Sequence, residues 1–503
     1  MIKRLLILAI LAFLLIAVPC WGANYDVSTG TTTVDGDTFC GGAACTSADT
    51  ITITGGARGD LTIRDMDGSG TYITITNEAI NRVVITHDDS DSENGVLVFD
   101  DCKYVDFKGN GNDSFAWTTD CKTAACYGFL IENDGNPTTP STTVHVKGES
   151  DHIKISYVEI DWPTGASGAG SSGIAVHDQN LTSAWTFDTF EIHHNYLHDS
   201  QYAGMYFGHN EPSAADGCNA GTTTCPYVAN FLIYDNLMED LGSYGITYKG
   251  VEAGSTANEI YSNIVRVTGL LTPNSDDAKH GIGVQYFYAG AYATVYDNLI
   301  EKIVGPGIKI GEADHVIKTN TIVGSGTGYH LNSECDGAGS PYDCCADAHP
   351  DANNECEQYG HGIYVHDYDY TGTEDRTVGL YDNKIVEPVG YGIASWSNAS
   401  GLMARNIITE AGVGEYYNNS SPGLVEGESA SCSAAWGTLT TCPNAYQADT
   451  DSICFTTWSD DSDYSNDDFT LCCDYDYTSI AANACGVTTT PVSGVKFNGA
   501  EYN

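Results

Sequence analysis

Basic residues are scarce in this chain. It carries 20 lysine and arginine residues against 67 aspartate and glutamate residues, which gives a formal net charge of −47. Such a chain repels nucleic acid and anionic membranes, because both are polyanions. It would also repel an anionic polysaccharide unless cations bridge the two, so we expect calcium or a saline habitat to accompany any such substrate. Most of the excess carboxylates are expected simply to keep a large surface hydrated.

Long apolar runs are missing beyond the N-terminus. Lys3 and Arg4 precede one uninterrupted apolar run at residues 5–18, which is too short for a comfortable membrane span. Cys20 and Gly22 are small residues that suit cleavage before Ala23. We therefore predict a signal peptide at residues 1–22 and a secreted chain, extracellular or at the cell surface, with no membrane span. Lipidation of Cys20 is the alternative.

No Cys-x-x-Cys pair occurs among the 18 cysteines, which argues against a structural zinc site. Many cysteines instead lie at short separations in polar segments, as is typical of disulfides formed in an oxidising compartment. The close pairs are Cys40/Cys45, Cys121/Cys126, Cys218/Cys225 and Cys432/Cys442, and two groups of four are Cys335, Cys344, Cys345, Cys356 and Cys454, Cys472, Cys473, Cys485. Cys102 is left over, and we predict that it is a buried free thiol.

A repeat begins near residue 190. An aliphatic residue is followed three positions later by Asn, and a Gly with an apolar neighbour follows nine positions after the Asn. The regular frames are Ile192/Asn195/Gly204, Ile233/Asn236/Gly245, Val295/Asn298/Gly307 and Leu380/Asn383/Gly392, and further frames with insertions or degenerate spacing begin at Asn263, Asn320 and Asn406. The shortest steps between frames are too short for a strand plus a crossover helix of ordinary size. They match one coil of short strands and tight turns.

This periodicity predicts an all-β, single-stranded, right-handed parallel β-helix with loop insertions. The aliphatic residues are expected to stack inside, and the Asn side chains to form a hydrogen-bonded ladder between coils. The pattern resembles the parallel β-helix repeat of pectate-lyase-like and other carbohydrate-active proteins over about residues 50–420, and this resemblance implies a fold, not a reaction. We expect the helix at residues 23–420 and a Cys/Asp-rich cap or appended module at residues 421–503.

Two lines of side chains are expected on the outer surface. The first line precedes each ladder Asn by two positions and contains His193, Tyr234, Tyr261, Tyr296, Lys318, Tyr381 and Ala404. The second line follows each frame Gly by four positions and contains His177, Gly208, Lys249, Gln285, Gly311, His366 and Trp396. We predict that Tyr234, Tyr261, Tyr296, Tyr381, His177 and Lys249 bind substrate, with the tyrosine faces against sugar rings. The alternative is that the tyrosines only stack between strands and half-cover the sheet.

An insertion before Gly281 carries the sequence Asp276-Asp277-Ala278-Lys279-His280. Adjacent carboxylates can bind calcium or divide into acid and base, and Lys279 or His280 could take a proton alpha to a uronate carboxylate. The candidate catalytic residues are Asp276, Asp277, Lys279, His280, His361 and His366, and Asp276 and Asp277 are also the candidate ligands for Ca²⁺. A solvated loop with chance polar residues would explain the same run.

Two further patterns point to glycosidases. Gly360-His361-Gly362 resembles the Gly-His-Gly of polygalacturonase-type enzymes, although the chain lacks their Asn-Thr-Asp and Arg-Ile-Lys elements. Glu159 and Asp161 place two carboxylates on one face of a strand, which suits paired acid and base chemistry.

The predicted function is that of a monomeric protein that binds, and as a lyase or glycosidase cleaves, an extracellular polysaccharide along an outer groove. Insertions at residues 268–280 and 329–361 interrupt the coil as groove walls would, and this favours the enzyme. The alternative is a non-catalytic surface, adhesin or matrix protein in which the repeat supplies length.

Overall fold

The computed structural model is composed of short strands. It describes residues 22–78, 81–87, 95–110, 127–132, 142–162, 172–178, 185–200, 202–208, 226–268, 280–287, 290–311, 314–326, 360–366, 377–396, 400–412, 414–419 and 424–426, and four two-residue strands nearer the C-terminus. These ranges contain no α-helix. In the part of the chain that is described, no helix could therefore cross a membrane.

The strands, numbered in chain order, form three parallel sheets that run side by side. The first sheet contains β1 (Asn24–Val27), β3 (Thr50–Ile53), β6 (Ile73–Asn77), β9 (Lys103–Lys108), β12 (Asp151–Ser156), β15 (Thr186–His193), β18 (Tyr227–Tyr234), β21 (Asn258–Tyr261), β24 (Ala293–Tyr296), β27 (Val316–Lys318), β30 (Thr377–Tyr381), β33 (Ser400–Ala404) and β36 (Leu424–Glu426). The second sheet contains β4 (Gly56–Arg58), β7 (Val83–Thr86), β10 (Phe129–Glu132), β13 (Val158–Asp161), β16 (Tyr196–His198), β19 (Leu237–Leu241), β22 (Ile264–Thr268), β25 (Leu299–Ile303), β28 (Thr321–Val323), β31 (Lys384–Val386) and β34 (Ile407–Thr409). The third sheet contains β2 (Thr33–Asp35), β5 (Leu61–Arg64), β8 (Gly95–Asp100), β11 (Thr142–Lys147), β14 (Ser172–Val176), β17 (Ala203–Phe207), β20 (Tyr244–Val251), β23 (Ile282–Phe287), β26 (Ile308–Gly311), β29 (Ile363–His366), β32 (Tyr391–Trp396) and β35 (Gly414–Asn419).

β1 pairs in parallel with β3, and from β2 to β33 each strand pairs in parallel with the strand three positions along the chain. Ile233 of β18, for example, lies beside Ile192 of β15 and Ile260 of β21. One coil therefore contributes one strand to each sheet, and successive coils stack. The all-β parallel β-helix predicted from the repeat is confirmed.

The core is a continuous column of aliphatic and aromatic side chains. The aliphatic residues of the repeat frames, such as Ile192, Ile233 and Val295, are fully buried and stack on one another between coils. Burial of one such side chain stabilises a fold by about 1.5–3 kcal/mol. Buried and less buried residues alternate along first-sheet strands such as β3 and β6, whereas β14, β20 and β26 of the third sheet are buried on both faces.

The asparagine ladder lies at the turn between the first and second sheets. The backbone N–H and the Nδ2 of Asn236 both donate to Oδ1 of Asn263, at 3.1 and 2.9 Å, and its Nδ2 also donates to the carbonyl oxygen of Ile192 at 2.9 Å. The same bonds link the ladder from Asn195 through to Asn406. The residue before the Asn, here Asp235 with φ of 51°, is left-handed and turns the chain sharply. The predicted ladder is confirmed.

Two of the predictions about cysteine concern described residues. Cys40 and Cys45 form a disulfide, and Cys102 is a free, fully buried thiol, so both predictions are confirmed. Burial raises the pKa of Cys102 to about 12, which keeps the thiol protonated and unreactive. Nearer the C-terminus, Cys454–Phe455 pairs with Leu471–Cys472, and Lys496–Phe497 pairs with Ala500–Glu501, both antiparallel. The proposed signal peptide, except for Gly22, lies outside the described residues.

Candidate functional site on the third sheet

The outer face of the third sheet collects several of the predicted functional residues. Ile246, Ile282, Ile308 and Ile363 are register partners that point into the core. The residues that follow them face outward and form one row, made up of Thr247, Gly283, Lys309 and Tyr364. The next outward row contains Lys249, Gln285 and Gly311, and the backbone of His366 continues it. We call Lys249, His280, Gln285, Lys309 and His361 the third-sheet cluster.

His280 and His361 occupy equivalent positions at the start of this sheet. The carbonyl oxygen of His280 accepts a hydrogen bond from Gly245 N–H, and that of His361 accepts one from Gly307 N–H. The coil between them has Pro306 at this position. Because neighbouring parallel strands lie about 4.8 Å apart, the two histidine backbones are roughly 10 Å apart.

The imidazole of His280 is buried and has defined neighbours. Its Nε2 lies 3.0 Å from the hydroxyl of Thr247, and its ring centroid is 4.5 Å from that of Tyr244. The ring also covers the α-carbon of Gly283, where an added Cβ would lie 2.2 Å from Nε2. Glycine at position 283 therefore allows this orientation of the histidine.

The imidazole of His361 is held in one tautomer. Its Nδ1 accepts a hydrogen bond from the backbone N–H of Tyr391 at 3.0 Å, so the proton of the neutral ring lies on Nε2. That nitrogen can donate to an oxygen atom. The flanking Gly362 has a packing role as well, because a Cβ there would lie 2.5 Å from the carbonyl oxygen of Gly392.

Two lysines lie on the same face. Lys249 and Lys309 are only 6% and 5% exposed, although both point away from the core. The ammonium group of Lys249 lies 4.4 Å from the ring centroid of Tyr206 in a cation–π contact. Lys309 is in register between Gly283 and Tyr364. Our sequence analysis missed Lys309, although its place between Ile308 and Ile310 after the frame glycine identifies it as an outward residue.

Gln285 supplies a further donor. It is the register partner of Lys249 and is 6% exposed, and its Nε2 has no hydrogen-bond partner within the described ranges. A buried amide left unpaired costs about 1–3 kcal/mol. A ligand oxygen at this point would remove that cost. The sequence placed Gln285 in the outward line without assigning it a role.

The other predicted residues of this region are distributed as follows. His177 follows β14 on the same sheet, with its ring 4.9 Å from that of His145 and 6.0 Å from that of Tyr206. The backbone of His366 lies beside Gly311 in the row of Lys249. Asp276, Asp277 and Lys279 lie outside the described residues, so their catalytic roles and the calcium site stay predictions.

The tyrosines lie on the first sheet, away from this cluster. The rings of His193, Tyr234, Tyr261 and Tyr296 stack in succession at 4.7–4.9 Å and within 8° of parallel. Their faces are therefore covered by one another, and the outer face of Tyr296 is covered by Lys318 at 5.4 Å. Tyr381 is 4% exposed, and its ring covers Gly379.

The stacking of the tyrosine rings restricts how they could contact a sugar. The hydroxyls of Tyr234 and Tyr296 donate to Glu191 and Glu259, at 2.5 and 2.8 Å. A sugar ring could not lie against the faces of Tyr234 or Tyr261 without parting the stack. The geometry matches the alternative interpretation, in which like residues stack between strands, and any sugar contact would use ring edges and hydroxyls.

Comparison with known proteins gives little beyond the fold. Neither a protein-family model nor a curated protein sequence matches this chain. Similar solved structures include an alginate lyase from a Paenibacillus species, with 11% identity, a TM-score of 0.37, and coverage of 79% of this chain and 99% of that one. The Dettilon tailspike protein has 12% identity, a TM-score of 0.42, and coverage of 74% and 62%. The A-module of an Azotobacter vinelandii mannuronan C-5 epimerase has 12% identity, a TM-score of 0.35, and coverage of 75% and 91%. These similarities are too low to assign an activity.

Proposed function

We propose that this protein binds an anionic, uronate-containing polysaccharide at the third-sheet cluster and cleaves it by a lyase reaction. The observation that carries the proposal is the cluster itself. Two lysines and two histidines lie on the outer face of neighbouring coils in a chain that has only 20 lysine and arginine residues and a net charge of −47. A local group of basic side chains of this kind can attract a polyanion that the acidic remainder of the surface repels.

The chemistry of a lyase assigns a role to each group. Lys249, Lys309 and the Gln285 amide would bind the uronate carboxylate, and their donors would stabilise the negative charge that develops there. His280 would remove the proton at the carbon next to the carboxylate. The electron pair of that C–H bond then forms the new carbon–carbon double bond as the glycosidic C–O bond breaks. His361 Nε2–H would donate a proton to the departing oxygen.

The cluster is shielded from bulk water, which suits this chemistry. His280 and His361 are 3% and 2% exposed, and electrostatic interactions strengthen where water is excluded. Calcium as a cofactor, secretion, the monomeric state and membership of a pectate-lyase-like family stay predictions that accompany this proposal.

A product screen tests the proposal. Purified protein is incubated with neutral and uronate polysaccharides, with calcium and with chelator, and both ultraviolet absorbance of unsaturated product and new reducing ends are followed. We expect both signals from a uronate polymer. Reducing ends without absorbance would replace the lyase by a hydrolase. Binding without either signal would leave the non-catalytic alternative, and the absence of binding and products across the panel would refute the proposal.

A further inference from the structure

A second group of titratable side chains lies on the outer face of the second sheet, apart from the third-sheet cluster. Glu132, Asp161, His198 and Glu239 are register partners on consecutive coils. Asp199 follows His198 directly. The sequence indicated only the carboxylate pair of Glu159 and Asp161, which lie on the same strand as the inward residues Val158 and Ile160.

Three possible ligand atoms converge at His198. Its Nδ1 lies 2.9 Å from Oδ2 of Asp199 and 3.5 Å from Oδ1 of Asp161. One such atom from each of the three residues lies within 4.8 Å of the other two. They come from adjacent coils, Asp161 from β13 and His198 with Asp199 from β16 and the residue after it.

The hydrogen bond made by the other ring nitrogen of His198, Nε2, determines whether Nδ1 of the neutral ring carries a proton. Nε2 lies 3.3 Å from Oε1 of Glu159, whose second carboxylate oxygen accepts a hydrogen bond from Arg82. With the Glu159 carboxylate accepting, Nε2 carries a proton. In the neutral ring, Nδ1 then presents a lone pair toward two carboxylates. Three electron-pair donors that face one another need a cation between them, either a proton on Nδ1 or a metal ion.

The charge balance among these residues favours a divalent cation over a proton. Within the described ranges, His198 is the one cationic partner of Asp161 and Asp199, because Arg82 pairs with Glu159 and Arg266 pairs with Glu239 and Glu301. A protonated His198 leaves the three ligands with a net charge of about −1, whereas a divalent cation on the neutral ring brings them to about zero.

We propose that Asp161, His198 and Asp199 bind a divalent first-row transition metal ion of the zinc class, which clips two neighbouring coils together. A donor set of one imidazole nitrogen and two carboxylate oxygens suits such an ion, whereas calcium prefers oxygen ligands alone. The hydrogen bond from His198 to Glu159, itself held by Arg82, is the outer support that metal-binding histidines commonly have. A cysteine-based search of the sequence could not reveal this site.

Tyr196 stacks on the His198 ring at 4.4 Å, and its hydroxyl donates to Glu239. Tyr196 therefore covers a face of the His198 ring, while Nδ1 at the ring edge lies close to Asp161 and Asp199.

Calorimetry on the full chain, first dialysed against chelator, tests the site with Zn²⁺ and Co²⁺ as probes. We expect one site, a higher melting temperature, and a visible Co²⁺ spectrum. His198→Gln and Asp161→Asn should each weaken binding at this site at least tenfold. His152→Gln is the matched control, because His152 lies 3.0 Å from the carboxylate of Asp151 without a comparable third ligand within the described ranges.

The same titrations can overturn the proposal. It fails if the wild-type chain shows no saturable Zn²⁺ or Co²⁺ binding, if only Ca²⁺ binds, or if both variants bind like the wild type. Urea unfolding in chelator identifies a variant that loses binding because it no longer folds. In that case, Co²⁺ spectra of Asp199→Asn decide the question, and an unchanged spectrum would contradict the assignment. None of these readouts depends on polysaccharide cleavage.

Discussion

Lys309 is the residue whose charge the proposed activity uses most directly. Replacing it in Lys309→Gln keeps a polar side chain but removes the cation between Gly283 and Tyr364. A hydrogen bond to a charged group contributes about 1.5–3 kcal/mol, so we expect kcat/KM on a uronate polymer to fall roughly 10- to 100-fold. Steady-state kinetics measure this. Lys302→Gln, at an exposed position on the second sheet, should retain wild-type activity, and equal loss in both variants would contradict the assignment.

Gly283 tests the role of His280 without changing the histidine. In Gly283→Ala the new Cβ would lie 2.2 Å from His280 Nε2 and must displace the ring. We expect kcat to fall at least about tenfold while KM changes little, because the base moves and the carboxylate-binding groups do not. Gly30→Ala, where a Cβ meets no atom within 4 Å, is the control. A wild-type kcat in Gly283→Ala would remove His280 from the mechanism.

The asparagine ladder is the element that ties the coils together at one corner. Asn298 receives two hydrogen bonds from Asn263 and donates to Ile260, Tyr296 and Asn320. Asn298→Ala leaves several of these groups buried and unpaired, so we expect a loss of about 2–4 kcal/mol in the free energy of unfolding. At the end of the ladder, Asn406 is only partly buried, and Asn406→Ala should cost about half as much. Urea unfolding of both variants gives the comparison, and equal losses would contradict the expected dependence on burial.

The ring stack on the first sheet makes stability depend on pH. Burial, with a smaller effect from the neighbouring His194, lowers the pKa of His193 to about 4. The unfolded chain takes up a proton at His193 near pH 6.5 while the folded chain does not, so the free energy of unfolding falls as pH drops from about 6.5 to about 4. His193→Gln should reduce this fall by about 3 kcal/mol, measured as the difference between wild-type and variant unfolding curves at each pH. Parallel pH profiles of the wild type and the variant would show that His193 takes up its proton equally well in the folded and unfolded chains.

Charge is unevenly distributed at the scale of the whole molecule. The chain has a net charge of −47, yet Lys249 and Lys309 lie on the same face as His280 and His361. Among the described residues, other cations form ion pairs with acidic groups, as Arg405 does with Asp382 and Arg266 with Glu301. Under the proposed function, a polyanion would approach the third-sheet cluster rather than the acidic remainder of the surface.

The fold could be predicted from the sequence because the repeat is regular at the positions where packing and hydrogen bonding allow few alternatives. Ile233 must point inward and Asn236 must bridge two coils, so both recur at fixed spacing and could be recognised. Alternation along the strands also placed Lys249 and His177 on the outer face. The spacing of the repeat did not reveal how each side chain is oriented on that face. Whether Tyr234 offers its ring face or its edge depends on the neighbouring rings of His193 and Tyr261.

Clusters formed across coils were the hardest to foresee. His198 meets Glu159 and Asp161 from the preceding coil, and Arg82 reaches Glu159 across 77 positions of sequence. Insertions of unequal length separate these coils, so no constant spacing marks the contacts. Gln285 was placed in the outward line, but only the structure shows that its amide is buried beside Lys249 with no hydrogen-bond partner in the described part of the chain.

A crystal structure of the full chain with a bound uronate oligosaccharide tests the central claim most directly. We predict that a sugar carboxylate lies within hydrogen-bond distance of Lys309 Nζ or Gln285 Nε2, with its ring on the outer face of the third sheet near His280. Oligosaccharide bound only along the tyrosine stack of the first sheet, or absent from the third-sheet cluster at saturating concentration, would contradict the account.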